Sequence, residues 1–185
     1  MAHISTGVEY GLHCLLYLVS SPETPRTTSV RDLAELQGIP IEYVAKVFTR
    51  LQKAGLVAAA EGARGGFCLA RAPHNISVWD VVRAIDGDKS LFECREIRGR
   101  CAAFGNDFPR PRSRGVCSIH AIMIEAEQRM RDALSAHTVA DIAASVTAKT
   151  PSGYDQRIAE WLDNRATTPR RLTSTETRRE TGETP

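Results

Sequence analysis

Residues 29–55 read SVRDLAELQGIPIEYVAKVFTRLQKAG, and this stretch decides the fold. Ser29-Val-Arg-Asp32 has the form of a capping box and opens a short helix through Leu36 that carries Val30, Leu33 and Ala34. Gly38-Ile-Pro40 imposes a tight turn. Ile41 to Ala54 then predicts a second helix, with Val44, Val47, Phe48 and Leu51 inward and Glu42, Tyr43, Lys46, Thr49, Arg50 and Lys53 outward. Gly55 is its C-cap. Two strand candidates follow, Leu56–Ala60 and Phe67–Ala70, joined by the glycine-rich Glu61–Gly66 as a hairpin.

Two short helices about a tight turn, then a glycine-rich hairpin, is the order of a winged helix-turn-helix. The outward face of the second helix is polar enough to meet base edges in a major groove. Arg64 at the hairpin tip, beside Gly65, suits phosphate or minor-groove contact. The candidate DNA-contacting set is Ser29, Glu42, Tyr43, Lys46, Arg50, Arg64 and Gly65. Taken singly, each charge reads equally well as solvation of a surface helix. The ordered combination is far more specific.

Around this unit, Ser5–Val19 predicts a first helix with Leu12, Leu15, Leu16 and Val19 on one stripe. Ser77-Val-Trp-Asp80 caps a further helix through Ile85, and Gly87 stops it. Ser118–Ala136 is the longest helix; Ile119, Ile122, Met123, Ala126, Met130 and Ala133 keep an a/d-like spacing suited to a dimer interface. Thr138 and Asp141 cap a last short helix. From Thr147 the chain turns polar, with one weak helix over Tyr154–Leu162 and a Thr-, Arg-, Glu- and Pro-rich end expected to be disordered. The expected organisation is a mostly α fold with a small β-hairpin wing. It comprises a DNA-binding domain over 1–87, a cysteine loop over 88–117, a dimerisation helix and short helix over 118–146, and a polar tail over 147–185.

Three of the five cysteines, Cys94, Cys101 and Cys117, flank or sit in an irregular stretch rich in Gly, Pro and Arg, with His120 two residues further on. Thiolates on a loop without a core of its own point to a metal centre. The spacing is too wide for the paired ligands of a zinc ribbon, whereas iron–sulfur sites tolerate it. Cys14 and Cys68 lie on apolar faces and read as small core residues. The odd cysteine number, with no signal peptide and no membrane-length apolar run, predicts a cytoplasmic protein with free or metal-bound thiols. A net charge of +2 identifies no partner. No nucleotide loop or nucleophile–base pair is present, so no enzyme is expected.

The chain resembles the Rrf2 family of bacterial winged-helix regulators over about Ile4–Val146. The resemblance is carried by Gly7-Val-Glu-Tyr-Gly-Leu-His13, Leu51-Gln-Lys-Ala-Gly-Leu-Val57, Gly62-Ala-Arg-Gly-Gly-Phe-Cys-Leu-Ala-Arg71 and Val78-Trp-Asp-Val-Val82. It implies a homodimer that binds palindromic operators, as a repressor sensing redox, nitrosative or iron status through an iron–sulfur cluster. Within the family the match is to the RsrR type, whose 2Fe–2S ligands fall on Glu9, His13, Cys94 and Cys117 here, with the Glu–His pair of one subunit meeting the cysteines of the other. Glu9 and His13 are i,i+4 and share one helix face, which fits that placement. Cys101 and His120 are the alternative ligands, in a three-cysteine 2Fe–2S or 4Fe–4S site. A cluster-free thiol sensor and, from another class, an electron carrier are the rival functions.

Overall fold

The glycine and capping signals of residues 29–55 set the geometry of the helix-turn-helix unit. In the computed structural model, residues 4–19, 26–60, 65–95, 102 and 116–167 are described. Helix α1 spans Thr6–Leu18, α2 Val30–Gln37 and α3 Ile41–Lys53. Strands β1 (Val57–Ala60) and β2 (Gly66–Leu69) follow, then α4 over Val78–Asp86, α5 over Ser118–Ser135, α6 over Val139–Lys149 and α7 over Tyr154–Thr167. The mostly helical architecture with an antiparallel hairpin is the one the sequence predicts.

At the start of α2, the Ser29 hydroxyl accepts from the Asp32 N–H at 3.1 Å and donates to the Asp32 carboxylate at 2.5 Å. Its end is a left-handed Gly38 at φ 65, after which the Ile39 N–H reaches back to the Ala34 carbonyl at 2.9 Å. That reversal aims α3 across the domain. Val44, Val47, Phe48 and Leu51 of α3 are buried, on the period the sequence shows. Arg71 closes the far end of α3, donating to the carbonyls of Ala54 and Gly55 at 3.1 Å each. A cation there satisfies orphan carbonyls and complements the helix dipole.

The hairpin pairs Val57 with Leu69 and Ala60 with Gly66. A third segment joins it: Thr28 and Phe67 exchange backbone hydrogen bonds at 3.0 and 2.9 Å. Gly66 is required at this approach, because a Cβ there would lie 2.7 Å from the Thr28 carbonyl oxygen. Phe67 also leans on Phe48, with ring centroids 5.1 Å apart, which locks the wing to α3.

The core gathers Val8, Leu15 and Leu18 of α1, Leu33 of α2, Phe48 and Leu51 of α3, and Val81 and Ile85 of α4. Ser77 and Asp80 form a full capping box on α4. Backbone bonds from Val78 to His137 and from Val139 to Ile76, both 2.9 Å, place the start of α6 beside the start of α4. Helix α5 differs in kind. Over its 18 residues it buries none, and Ile119 and Ile122 are 62% and 63% exposed.

The chain divides into a unit over Met1–Lys149 and a second over Thr150–Pro185. In the second, α7 carries Arg165 over the Trp161 ring at 4.4 Å and continues past Leu162, where the sequence reading ends it.

Candidate functional site

On the outer face of α3, Glu42, Lys46 and Arg50 are exposed, and so is Tyr43 at 37%. Lys46 makes no hydrogen bond or ion pair among the described residues. The other candidates are engaged to different degrees. The Tyr43 ring stands edge-on to Tyr10 of α1, centroids 5.6 Å apart. Arg50 donates through Nη1 to the backbone carbonyl of Ile85. The Ser29 hydroxyl is used in capping α2. Gly65 is exposed at the loop end of the wing, just before β2, and Arg64 lies outside the described residues. The face therefore offers a carboxylate, a free ammonium and a phenol at the side that a groove would meet.

Glu9 and His13 are exposed on α1, one turn apart, and neither has a hydrogen-bond or ion-pair partner among the described residues. Both remain available to an external ligand or a second chain. Cys94 and Cys117 are free thiols, each half-buried. Cys117 sits at the N-cap of α5, where its backbone carbonyl accepts from the Ala121 N–H at 2.8 Å while its side chain caps nothing. Cys101 lies outside the described residues. His120 packs on Phe92, ring centroids 5.8 Å apart. Among the described residues, no group of three or more His, Cys, Asp or Glu side chains converges as a metal site within one chain. The four candidate ligands form two separate pairs, one on α1 and one bracketing the cysteine loop.

Cys14 is excluded from any such role. It is 1% exposed, and burial pushes its thiol up to about 12, outweighing the bond it accepts from Gln37 Nε2 at 2.9 Å. Cys68 points its thiol at the Ala58 carbonyl across the hairpin, 3.8 Å away.

One residue escapes sequence reading. Arg131 of α5 donates to Asp88 at 2.8 Å and Glu127 at 2.7 Å, and lies 5.1 Å over the Trp79 ring. Glu127 in turn accepts from the Leu91 N–H at 2.9 Å. The segment entering Cys94 is thereby tied to α5 and α4. The i,i+4 pair Glu127–Arg131 is visible in the sequence, but its reach to Asp88, 43 residues away, is not. Met123 lines a cleft of about 260 Å³ with Phe92, His120 and Arg131. It thus belongs to the face of α5 turned to its own chain, while Ile119, Ile122, Ala126 and Ala133 are exposed and Met130 is half-buried.

Residues 4–145 match the sequence profile of the Rrf2 family, described as an iron-dependent transcriptional regulator. The Rrf2 protein of Nitratidesulfovibrio vulgaris is 34% identical over 140 residues, covering 75% of this chain and 85% of that protein. The transcriptional repressor NsrR of Streptomyces coelicolor is 29% identical over 149 residues, covering 80% and 93%. Among solved structures, the global cysteine regulator CymR of B. subtilis aligns with a TM-score of 0.60 at 25% identity, over 78% of this chain and 98% of that one.

Proposed function

The chain belongs to the Rrf2 family of transcriptional regulators, and from that premise we propose that it is a dimeric repressor whose operator affinity is set by an iron–sulfur cluster shared between two copies. Members of this family bind DNA and act as dimers; they are not enzymes. No described helix is long and apolar enough to cross a membrane, and a regulator of operators works in the cytoplasm.

Helix α3 is the recognition helix in this reading. Glu42 and Tyr43 face the major groove, Lys46 meets a phosphate at its edge, and Gly65 with Arg64 bring the wing to the backbone or minor groove. Ser29, whose side chain is committed to its cap, offers at most its neighbourhood at the amino end of α2. Two copies related by a twofold axis read a palindrome, because half-site spacing mirrors protein symmetry. The exposed stripe Ile119, Ile122, Ala126 and Ala133 supplies the contact between copies, edged by Met130 and Met123.

The observation that carries the cluster reading is the pairing of unpartnered donors: Glu9 and His13 on one face of α1, Cys94 and Cys117 around the loop. Neither pair suffices alone, and together they make a four-ligand set of a carboxylate, an imidazole and two thiolates. The thiolates match iron–sulfur chemistry in softness, and imidazole replacing thiolate raises the potential. A 2Fe–2S cluster held there would supply a one-electron redox change. Glu9 and His13 would hold it to α1, which packs on α3 and α4, while Cys94 and Cys117 would hold it to the foot of α5. Anaerobic purification followed by absorption spectroscopy and iron and sulfide counting tests this. A coloured protein with matching iron and sulfide supports it. A colourless protein whose Cys94 or Cys117 oxidises reversibly would establish a cluster-free thiol sensor instead.

A further inference from the structure

Arg50 lies on the polar face of α3, yet its guanidinium reaches away from that helix, donating to the Ile85 carbonyl. That carbonyl belongs to the last turn of α4, where four C=O groups lack intrahelical partners and the dipole is negative. Arg71 closes α3 in the same manner, so cationic closure of carboxyl ends is used twice in this unit.

The end of α4 is also where α1 docks. Asp86 accepts from the Ser5 N–H at 2.7 Å and from the Ser5 hydroxyl at 2.6 Å. The Ile85 side chain lies against the glycine face of α1: a Cβ at Gly11 would come within 2.5 Å of Ile85 Cδ1, and one at Gly7 within 3.0 Å of the Tyr43 hydroxyl. Three helices therefore meet at the carboxyl end of α4, with Arg50 as the polar link between that joint and α3.

We propose that Arg50 is a positioning residue for the recognition helix, fixing the pose of α3 through the Ile85 carbonyl instead of neutralising a DNA phosphate. The proposal rests on the reading of α3 as the recognition helix. A phosphate contact weakens binding to all sequences alike when removed, and lowers the salt slope by about 0.9. A pose-setting residue acts on base readout, so its loss falls on the preferred sequence. Lys46, exposed and unpartnered among the described residues, is the contrasting phosphate candidate.

The test uses the full-length protein and a duplex it selects from a random pool, with a scrambled duplex as reference. Affinities for both are measured across a salt series for wild type, Arg50→Met, Arg50→Lys and Lys46→Ala. Arg50→Met should bind the selected duplex about tenfold more weakly, the loss expected for one hydrogen bond to a charged group, with scrambled binding and salt slope close to wild type. Arg50→Lys, which keeps a cationic donor for the carbonyl, should recover most of that loss. Lys46→Ala should weaken both duplexes and lower the slope. If Arg50→Met instead copies Lys46→Ala, the proposal is overturned while α3 keeps its role. Wild-type binding by both Arg50→Met and Lys46→Ala overturns the reading of α3, and the proposal with it. Amide exchange of the DNA-free protein gives a second measurement that needs only a short-lived fold. Faster exchange at the Gly87 N–H, which bonds to the Arg83 carbonyl at 3.1 Å, supports the proposal in Arg50→Met; unchanged exchange overturns it.

Discussion

Ser5 and Asp86 lie 81 residues apart and are joined by two hydrogen bonds, from the Ser5 N–H at 2.7 Å and from its hydroxyl at 2.6 Å. Ser5 is the N-cap of α1, but its side chain bonds to none of that helix's own amides. Asp86 takes over as acceptor and brings a carboxylate to the positive end of α1. Asp86→Ala should destabilise the protein by about 1–2 kcal/mol, since it removes a charge-assisted pair at a largely exposed site. Urea unfolding at neutral pH checks this, and a loss under a few tenths of a kcal/mol would show the contact to be incidental.

Lys46 offers a cleaner reading of the DNA face than any residue engaged elsewhere. Lys46→Ala should leave folding untouched, weaken binding evenly across sequences and reduce the dependence of log K on log salt by about 0.9. A salt titration with any two duplexes of equal length is enough. A slope equal to wild type would remove Lys46 from the interface.

Much of this architecture is legible locally. The periods of α2 and α3, the turn at Gly38 and the capping boxes at Ser77 and Thr138 each involve residues within four positions of one another, where sequence and geometry coincide. The long-range polar links are of another kind. Arg50 to Ile85 spans 35 residues, and Arg131 to Asp88 spans 43. An arginine on a polar helix face carries the same sequence signal whether it meets a phosphate, water or a backbone carbonyl. The third pairing segment at Thr28 was equally silent, because one bridge leaves no alternation to detect. The candidate ligands are legible as residue types, but among the described residues no three of them converge within one chain, and nothing local in the sequence marks which would come together.

Cys14 should be inert while the protein is folded. With its thiol raised from the ordinary 9.0 to about 12, it stays neutral in the fold at pH values where the unfolded chain would ionise. Its contribution to stability is complete below about pH 9 and is lost as pH rises towards 12. Iodoacetamide at pH 8 should therefore modify Cys94 and Cys117 in cluster-free protein and spare Cys14 until denaturant is added. Peptide mass mapping reads the outcome, and early labelling of Cys14 would contradict its burial.

An 18-residue helix with no fully buried residue is stable in isolation only marginally. Ile119 and Ile122, each more than 60% exposed, would gain by packing on a second copy, at roughly 1.5–3 kcal/mol per fully buried side chain. Ile122→Glu should give a monomer that loses operator binding. Sedimentation equilibrium decides: a fully dimeric variant would move the interface off this stripe.

The ligand set is settled by single alanine variants at Glu9, His13, Cys94, Cys101 and Cys117, purified without oxygen and assayed for iron and sulfide. In the proposed set the two thiolates would be the strong ligands, so Cys94→Ala and Cys117→Ala should each abolish the cluster. Glu9 would be a hard donor on soft-ligated iron, and Glu9→Ala should leave a cluster that forms but is lost quickly in air. His13→Ala should lower cluster content and shift the visible spectrum, because an imidazole ligand tunes the iron it binds. Cys101→Ala should retain iron and sulfide. Mixing a Glu9→Ala, His13→Ala chain with a Cys94→Ala, Cys117→Ala chain adds the decisive control. Neither homodimer should hold a cluster, whereas the heterodimer keeps one complete set, with the thiolates of the first chain facing the carboxylate and imidazole of the second. Iron in the heterodimer at about one cluster per dimer is the expected result. Its absence there, with loss in Cys101→Ala and retention in His13→Ala, would place the cluster on three cysteines of a single chain.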